Sequence, residues 1–145
     1  METAARAGRQ FPCTDGGAMI VGEEQRAQIS ARRFWNRTGI VVEPSATYRL
    51  AAEGQWWDWF IPCDADGYTL AMLRWAEARR RVPDARWFAL CGAIEGHTER
   101  LFVIGRHAAR WRPPEAGELM CFANDLPSMY FNNWGCVDLS VTRTS

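Results

Sequence analysis

Short apolar runs separated by turn residues recur along most of this chain, and this pattern constrains its fold more than any other feature. Seven runs predict strands, at residues 29–35, 40–42, 47–52, 87–94, 101–104, 119–123 and 137–142. In the last run Val137, Leu139 and Val141 alternate with polar residues, so one face should pack on a core and the other face water. Several short strands with turn signals between them are typical of an all-β sandwich or barrel.

One run is apolar throughout instead of alternating. Residues 87–94 carry no charged or hydroxyl side chain, which predicts a central strand covered on both faces. Turn residues at 95–98 then predict a hairpin into the run at 101–104.

The remaining segments predict one short helix and one loose arm. Within residues 69–81, Leu70 and Leu73 recur at helical spacing, and Pro83 ends the segment. Its final run, Arg79-Arg80-Arg81, is typical of a solvated helix end that compensates the helix dipole. The length of 145 residues suits one domain. We therefore expect a loose N-terminal arm at 1–17 and a single β-sandwich domain at 18–145.

Charge and cysteine content limit the partners and the compartment. Seventeen basic residues balance seventeen acidic ones, so the chain has no electrostatic reason to bind nucleic acid or an anionic membrane. No apolar run is long enough for a signal peptide or a membrane span, which predicts no membrane insertion. Five cysteines without a CxxC pair suit reduced thiols in the cytoplasm. Three of them, Cys91, Cys121 and Cys136, lie in strand runs and are expected to be buried.

The segment 124–135 is dense in oxygen ligands. Asp125, Asn132 and Asn133 supply one carboxylate and two amide oxygens, and the irregular backbone around Pro127 leaves carbonyl groups free. Calcium prefers a shell of about 6–8 such oxygens, whereas zinc prefers His or Cys, which this segment lacks. Asn and Asp also populate ordinary turns for local hydrogen-bonding reasons, and that alternative stays open.

The same segment resembles the C-terminal signature of the bacterial calcium-dependent galactophilic lectins of the PA-I type, Asn-Asp-(Val/Leu)-Pro-x-x-Tyr-x-Asn-Asn-x-Gly before an alternating terminal strand. The match consists of Asn124, Asp125, Leu126, Pro127, Tyr130, Asn132, Asn133 and Gly135. Weaker echoes occur at residues 91–93 and 51–54, so the specific resemblance is confined to the C-terminal half.

The resemblance implies a jelly-roll-like β-sandwich, similar to galactose-binding domains, that binds a glycan or small sugar through Ca²⁺. The implied metal ligands are the side chains of Asp125, Asn132 and Asn133, the main-chain carbonyl of Met129, and a carbonyl near Trp57 or Asp58. The implied carbohydrate contacts are Trp57, Asp125, Leu126 and Asn132. One of Trp56, Trp57 and Trp59 is then expected to contact the loop 125–133 and form a wall of the pocket, although a buried core position is an alternative for each.

The chain departs from the family pattern beside the implied ion. Phe131 and Trp134 stand where the family has very small residues, and their bulk could narrow or block the sugar site. The stretch between Trp59 and Trp87 holds no recognisable equivalent of the His and Gln that select galactose. Galactose binding is therefore expected to be weak or absent.

Two other function classes stay open beside the lectin hypothesis. A structural or protein-interaction β-sandwich would keep the fold and bind no sugar. A hydrolase would need an assembled site, yet no GxSxG or HExxH motif occurs and neither His97 nor His107 has an evident catalytic partner. Paired carboxylates such as Asp58 with Asp125 keep that class open, although we expect no enzyme. Assembly into a homo-oligomer is also left open.

Overall fold

The computed structural model describes residues 18–145, so the predicted arm at 1–17 lies outside the described residues. The described chain contains β1 (Glu24–Ser30), β2 (Asn36–Val42), β3 (Tyr48–Asp58), β4 (Ile61–Cys63), β5 (Leu90–Ile94), β6 (Phe102–Val103), β7 (His107–Trp111), β8 (Gly117–Ala123) and β9 (Asn133–Arg143). The 3-10 helices of this part of the chain are Ala71–Arg79, Thr98–Arg100 and Tyr130–Asn132.

The strands form two antiparallel sheets. One has the order β1-β9-β3-β4, with β7 also paired to β3, and the other has the order β2-β8-β5-β6. Strand β9 pairs with β3 from Tyr48 opposite Arg143 to Asp58 opposite Asn133. The prediction of an all-β sandwich with a short helix is confirmed. None of the helices within residues 18–145 is both long enough and apolar enough to cross a membrane.

The core lies between the two sheets and depends on the alternation in β9. Val137, Leu139 and Val141 are fully buried, while Asp138 between them is exposed. Each fully buried aliphatic side chain stabilises the fold by about 1.5–3 kcal/mol. From the other sheet the five residues of β5 are all buried, which confirms the prediction of a central strand in the run 87–94.

That central strand is shorter than predicted. Phe88 has a backbone φ of 62°, in the left-handed region where extended strands cannot continue, and β5 begins only at Leu90. The predicted hairpin into β6 exists, but the 3-10 helix Thr98–Arg100 lengthens its loop.

The first strand is displaced from its predicted range, 29–35. Asn36 closes a turn after Ser30, because its side-chain oxygen accepts the Ser30 N–H and its amide donates to the Ser30 carbonyl. Residues 31–35 therefore form that turn, and β1 precedes it. Only Ala27 and Ile29 of β1 pack against the core, so its apolar pattern was too sparse to predict.

The segment predicted as a helix forms the 3-10 helix Ala71–Arg79, but the prediction of a solvated arginine run at its end is wrong. Arg80 is only 8% exposed, and its guanidinium lies 5.0 Å from the centre of the Trp87 ring. Arg81 packs against aromatic rings in the same way. Of the three arginines in this run, only Arg79 is exposed.

Two of the three cysteines that were predicted to be buried are buried, and the third is not. Cys91 and Cys121 are fully buried, and burial raises the pKa of the Cys91 thiol to about 12. Cys136 is only half-buried, so the prediction of a buried position is wrong there. It lies in β9 directly before Val137, the first apolar residue of that strand in the core.

Replacing Gly67 by alanine is expected to destabilise the protein by about 4 kcal/mol. A Cβ there would lie 2.2 Å from the Trp87 carbonyl oxygen, and the backbone φ is +78°. Gly39 is a matched control, because its φ is +74° but a Cβ would meet nothing within 4 Å. Gly39→Ala should cost only about 1 kcal/mol, the strain of the left-handed backbone. Urea unfolding of the two variants measures both, and equal losses would contradict the role of packing at Gly67.

Candidate functional site

The tip of the β3–β4 hairpin and the segment between β8 and β9 meet at one end of the sandwich. Asp58 lies opposite Asn133, and the Trp59 N–H donates to the Asn132 carbonyl at 3.0 Å. Because this hydrogen bond lies outside the Asp58–Asn133 pair, the two residues form a non-hydrogen-bonded antiparallel pair. The Cα atoms of such a pair are close together, so its side chains are neighbours. We call residues 124–133 the ligand loop. Trp59 contacts it, as expected for one of the three tryptophans.

Asp125 is the buried carboxylate of the ligand loop. Only 3% exposed, it accepts the Leu126 N–H at 2.7 Å with Oδ1 and the Asn133 side-chain amide at 3.0 Å with Oδ2. Burial, with a smaller contribution from the negative charge of Asp58, raises the pKa of Asp125 to about 7 despite the hydrogen bond from Asn133. Within the described residues no cation pairs with this carboxylate.

Two amide oxygens of the ligand loop have no hydrogen-bond partner within residues 18–145. They are Oδ1 of Asn132 and Oδ1 of Asn133, and both atoms are buried. The Asn133 amide nitrogen donates to the Ala31 carbonyl and to Asp125, which fixes the orientation of the group. A buried acceptor without a donor costs about 1–3 kcal/mol, so such atoms are usually explained by a bound water or ion.

A second carboxylate comes from the end of β3. Asp58 is half-buried, accepts a hydrogen bond from the Tyr68 hydroxyl, and has its pKa raised by burial. Sequence reasoning implied a main-chain carbonyl near Trp57 or Asp58, whereas the pairing of β3 with β9 brings the Asp58 side chain beside Asn133. Two carboxylates and two amide oxygens thus share one end of the fold.

The other residues of the ligand loop hold its shape. Asn124 is fully buried, and its side chain accepts the Val82 N–H while donating to the carbonyls of Val82, Ala85 and Arg86. It is therefore occupied as a structural group. Tyr130 is buried and donates its hydroxyl to the Ala123 carbonyl. Met129 and Leu126 are half-buried and joined by a backbone hydrogen bond of 3.0 Å.

The three tryptophans of the hairpin have different positions. Trp56 is fully buried in the core and forms no wall of a pocket. Trp57 stacks on Trp134 with ring centres 4.2 Å apart and planes 6° apart, so one of its faces is covered. Trp134 is 48% exposed, and its indole N–H donates to the Trp59 carbonyl at 2.8 Å. Sequence reasoning treated Trp134 only as an obstacle and missed this pairing.

Trp59 and Phe60 form the two-residue turn of the hairpin and project into solvent, with 64% and 66% of their surface exposed. Trp59 has a φ of 62°, where two-residue hairpins usually place glycine, so its backbone is strained. Phe131 in the ligand loop is also exposed. We call Trp59, Phe60, Phe131 and Trp134 the aromatic rim.

The donor set fits a hard cation. In the part of the chain that the structure describes, no group of three or more His, Cys, Asp or Glu side chains could hold a metal, so a site must use amide and carbonyl oxygens. Calcium accepts such a mixture, and the two carboxylates would match its charge. Asp66 adds nothing, because its carboxylate accepts the Arg106 N–H and completes a turn.

The exposed histidines lie away from these carboxylates. His97 pairs with Glu115 at 3.1 Å, and this hydrogen bond raises its pKa. His107 begins β7 on the surface.

Comparison with known proteins supports the fold. A solved structure described as "EclA N-terminal domain; PllA-like lectin" matches with a TM-score of 0.64 and 19% sequence identity, over 82% of this chain and 95% of that chain. No protein-family model and no curated protein matches the chain. The identity is low, so the similarity extends to the architecture alone. The chain therefore has the β-sandwich fold found in that PllA-like lectin domain.

Proposed function

We propose that this protein is a non-catalytic, calcium-dependent carbohydrate-binding module whose partner is a glycan or small sugar. The observation that carries the proposal is the pair of buried amide oxygens without a donor on the consecutive residues Asn132 and Asn133, the second of which donates its side-chain amide to the buried carboxylate of Asp125. A divalent cation would satisfy all three groups at once. The similarity of the fold to a lectin domain supports the choice of ligand class.

The proposed ion site combines the side chains of Asp125, Asn132, Asn133 and Asp58 with the main-chain carbonyl of Met129. Asp125 and Asp58 supply the charge that offsets the cost of desolvating a divalent ion, and the amides supply dipoles. Burial keeps the pKa of both carboxyl groups raised, and repulsion by the charge of Asp58 adds to this effect at Asp125. The ion would remove that repulsion.

The proposed sugar site lies beside the ion, with sugar hydroxyl groups as further ligands and contacts from Trp57, Asp125, Leu126 and Asn132. Indole rings pack on the apolar faces of sugar rings, and such a contact needs a free ring face. Because one face of Trp57 is covered by Trp134, we add Trp134 to this set.

A calcium-dependent signal on a glycan array is expected for the wild-type protein, with little or no retention on galactose resin. Trp134→Ala should lower the affinity for the best glycan by about tenfold, since a lost aromatic contact costs about 0.5–1.5 kcal/mol. Trp75→Ala is the matched control, because Trp75 is 73% exposed on the 3-10 helix Ala71–Arg79, outside the ligand loop. Tight calcium-dependent binding to galactose, or equal losses in the two variants, would contradict this assignment.

A second function is favoured by the aromatic rim. Exposed aromatic residues are enriched where proteins bind one another, so a protein-interaction β-sandwich could use Trp59, Phe60, Phe131 and Trp134 as its contact surface. The array separates the two functions. Calcium binding without a signal for any glycan would favour the interaction module.

A further inference from the structure

Arg81 lies against aromatic rings beside the ligand loop. Its guanidinium carbon is 3.5 Å from the centre of the Phe122 ring, 3.7 Å from that of Phe34 and 4.7 Å from that of Trp35. Among the described residues no carboxylate forms an ion pair with it. A desolvated cation over ring faces is strongly attracted to them, so this side chain is held in one place.

The hydrogen bonds of Arg81 reach the ligand loop at two points. Its backbone N–H donates to the Asp125 carbonyl at 3.1 Å. Its guanidinium donates to the Tyr130 hydroxyl at 2.9 Å, and Tyr130 precedes Asn132 by two residues. The first contact holds the ligand loop at Asp125. The second holds it at Tyr130, which lies between Met129 and the two asparagines with unpaired amide oxygens.

The same guanidinium also holds the neighbouring turn. It donates to the Phe34 carbonyl, in the turn at residues 31–35. The Ala31 carbonyl of that turn accepts the amide of Asn133. Arg81 is thus connected to the loop, to the turn and, through that turn, to the orientation of the Asn133 side chain.

We propose that Arg81 is a positioning residue that preorganises the ion site, an inference that rests on the proposed function. An ion that meets ligands already in place loses less free energy to ordering the loop, so its affinity is higher. Lysine cannot replace this arginine, because a compact ammonium has no planar group that stacks on the rings while its Nη1 donates to the Phe34 carbonyl and the Tyr130 hydroxyl. Tyr130→Phe tests the same connection by removing one hydroxyl.

Arg80 provides a matched control. It is the adjacent residue, is buried, contacts an aromatic ring and donates to the Pro83 carbonyl, and within residues 18–145 it forms no hydrogen bond with the ligand loop. Arg80→Lys should therefore lower stability as Arg81→Lys does, without changing calcium affinity. This separates positioning from a general structural role.

The experiment is calorimetric titration of calcium into the metal-stripped full chain at 15 °C, with melting temperatures measured in parallel. We expect Arg81→Lys to weaken calcium binding by at least tenfold and Tyr130→Phe by at least threefold, while Arg80→Lys stays within twofold of the wild type. If Arg81→Lys does not fold, Tyr130→Phe decides. Wild-type affinity in both loop-contacting variants, or an equal loss in Arg80→Lys, would overturn this inference alone. A wild-type protein that binds no calcium would overturn the proposed function and this inference with it.

Discussion

Calcium at about 100 times its dissociation constant is expected to raise the melting temperature of the metal-free protein by about 5–10 °C. An ion that binds only the folded state adds about 2.7 kcal/mol at that concentration. For a chain of this size, this free energy corresponds to a shift of that order. Asp125→Asn should abolish the shift, because the substitution keeps the shape of the side chain and removes the buried charge that the Asn133 amide contacts.

The control for this prediction is Asp138→Asn. Asp138 is exposed on the outer face of β9, so its substitution also removes one negative charge but leaves the ligand loop unchanged. It should keep the full calcium shift in a thermal melt followed by near-ultraviolet circular dichroism. A melting temperature that is unchanged across millimolar calcium in the wild type, or an equal shift in Asp125→Asn, would contradict the ion site.

Raising the pH from 4 to 8 is expected to destabilise the metal-free protein through Asp125. Its pKa is raised from 3.8 to about 7, chiefly by burial and then by the charge of Asp58, so the folded state binds this proton more tightly than the unfolded state. The stabilisation is complete below pH 3.8 and is lost as the pH rises through 7. The difference between the two pKa values corresponds to about 4 kcal/mol.

This pH dependence is measured by urea unfolding of metal-stripped protein at pH 5 and pH 8. Comparing the wild type with Asp125→Asn at each pH isolates the one carboxyl group from all other titrating groups. We expect Asp125→Asn to be the more stable protein at pH 8 and to lose this advantage at pH 5. Identical pH profiles for the two proteins would show that Asp125 titrates normally. Calcium at pH 8 should reverse the order in favour of the wild type.

The sequence predicted best those features that are encoded locally. The terminal strand was evident because Val137, Leu139 and Val141 alternate with polar residues, and that alternation needs no knowledge of the partner strands. The cluster of oxygen-bearing residues in the segment 124–135 was evident because these residues are close in sequence, and the ion site built on them stays a prediction.

Features that depend on long-range pairing were missed. Strands β1 and β7 lie beside β9 and β3, and most of their side chains are polar or half-exposed. Strands β1 and β7 are therefore stabilised by pairing with the neighbouring strands more than by burial of their own apolar residues. The position of the Asp58 side chain beside Asn133 was likewise not predictable, because only the register of β3 against β9 places the two residues opposite each other.

The surroundings of single side chains were the least predictable part. Arg81 read as a solvated residue because three consecutive arginines usually are, and its aromatic partners come from residues 34–35, 122 and 130. The stack of Trp57 on Trp134 likewise joins residues from different strands. The spacing of apolar residues within a single segment does not predict contacts of this kind between segments.

The left-handed backbone of Trp59 has an evolutionary consequence. Glycine or asparagine would adopt its φ of 62° with less strain, so replacing Trp59 by either of them should not lower folding stability through the backbone. The hairpin turn can therefore accept glycine or asparagine in descendants of this protein, while the core residues beneath it, such as Trp56, stay constrained by packing. The surface of the turn and the core can thus change independently within the four positions from Trp56 to Trp59.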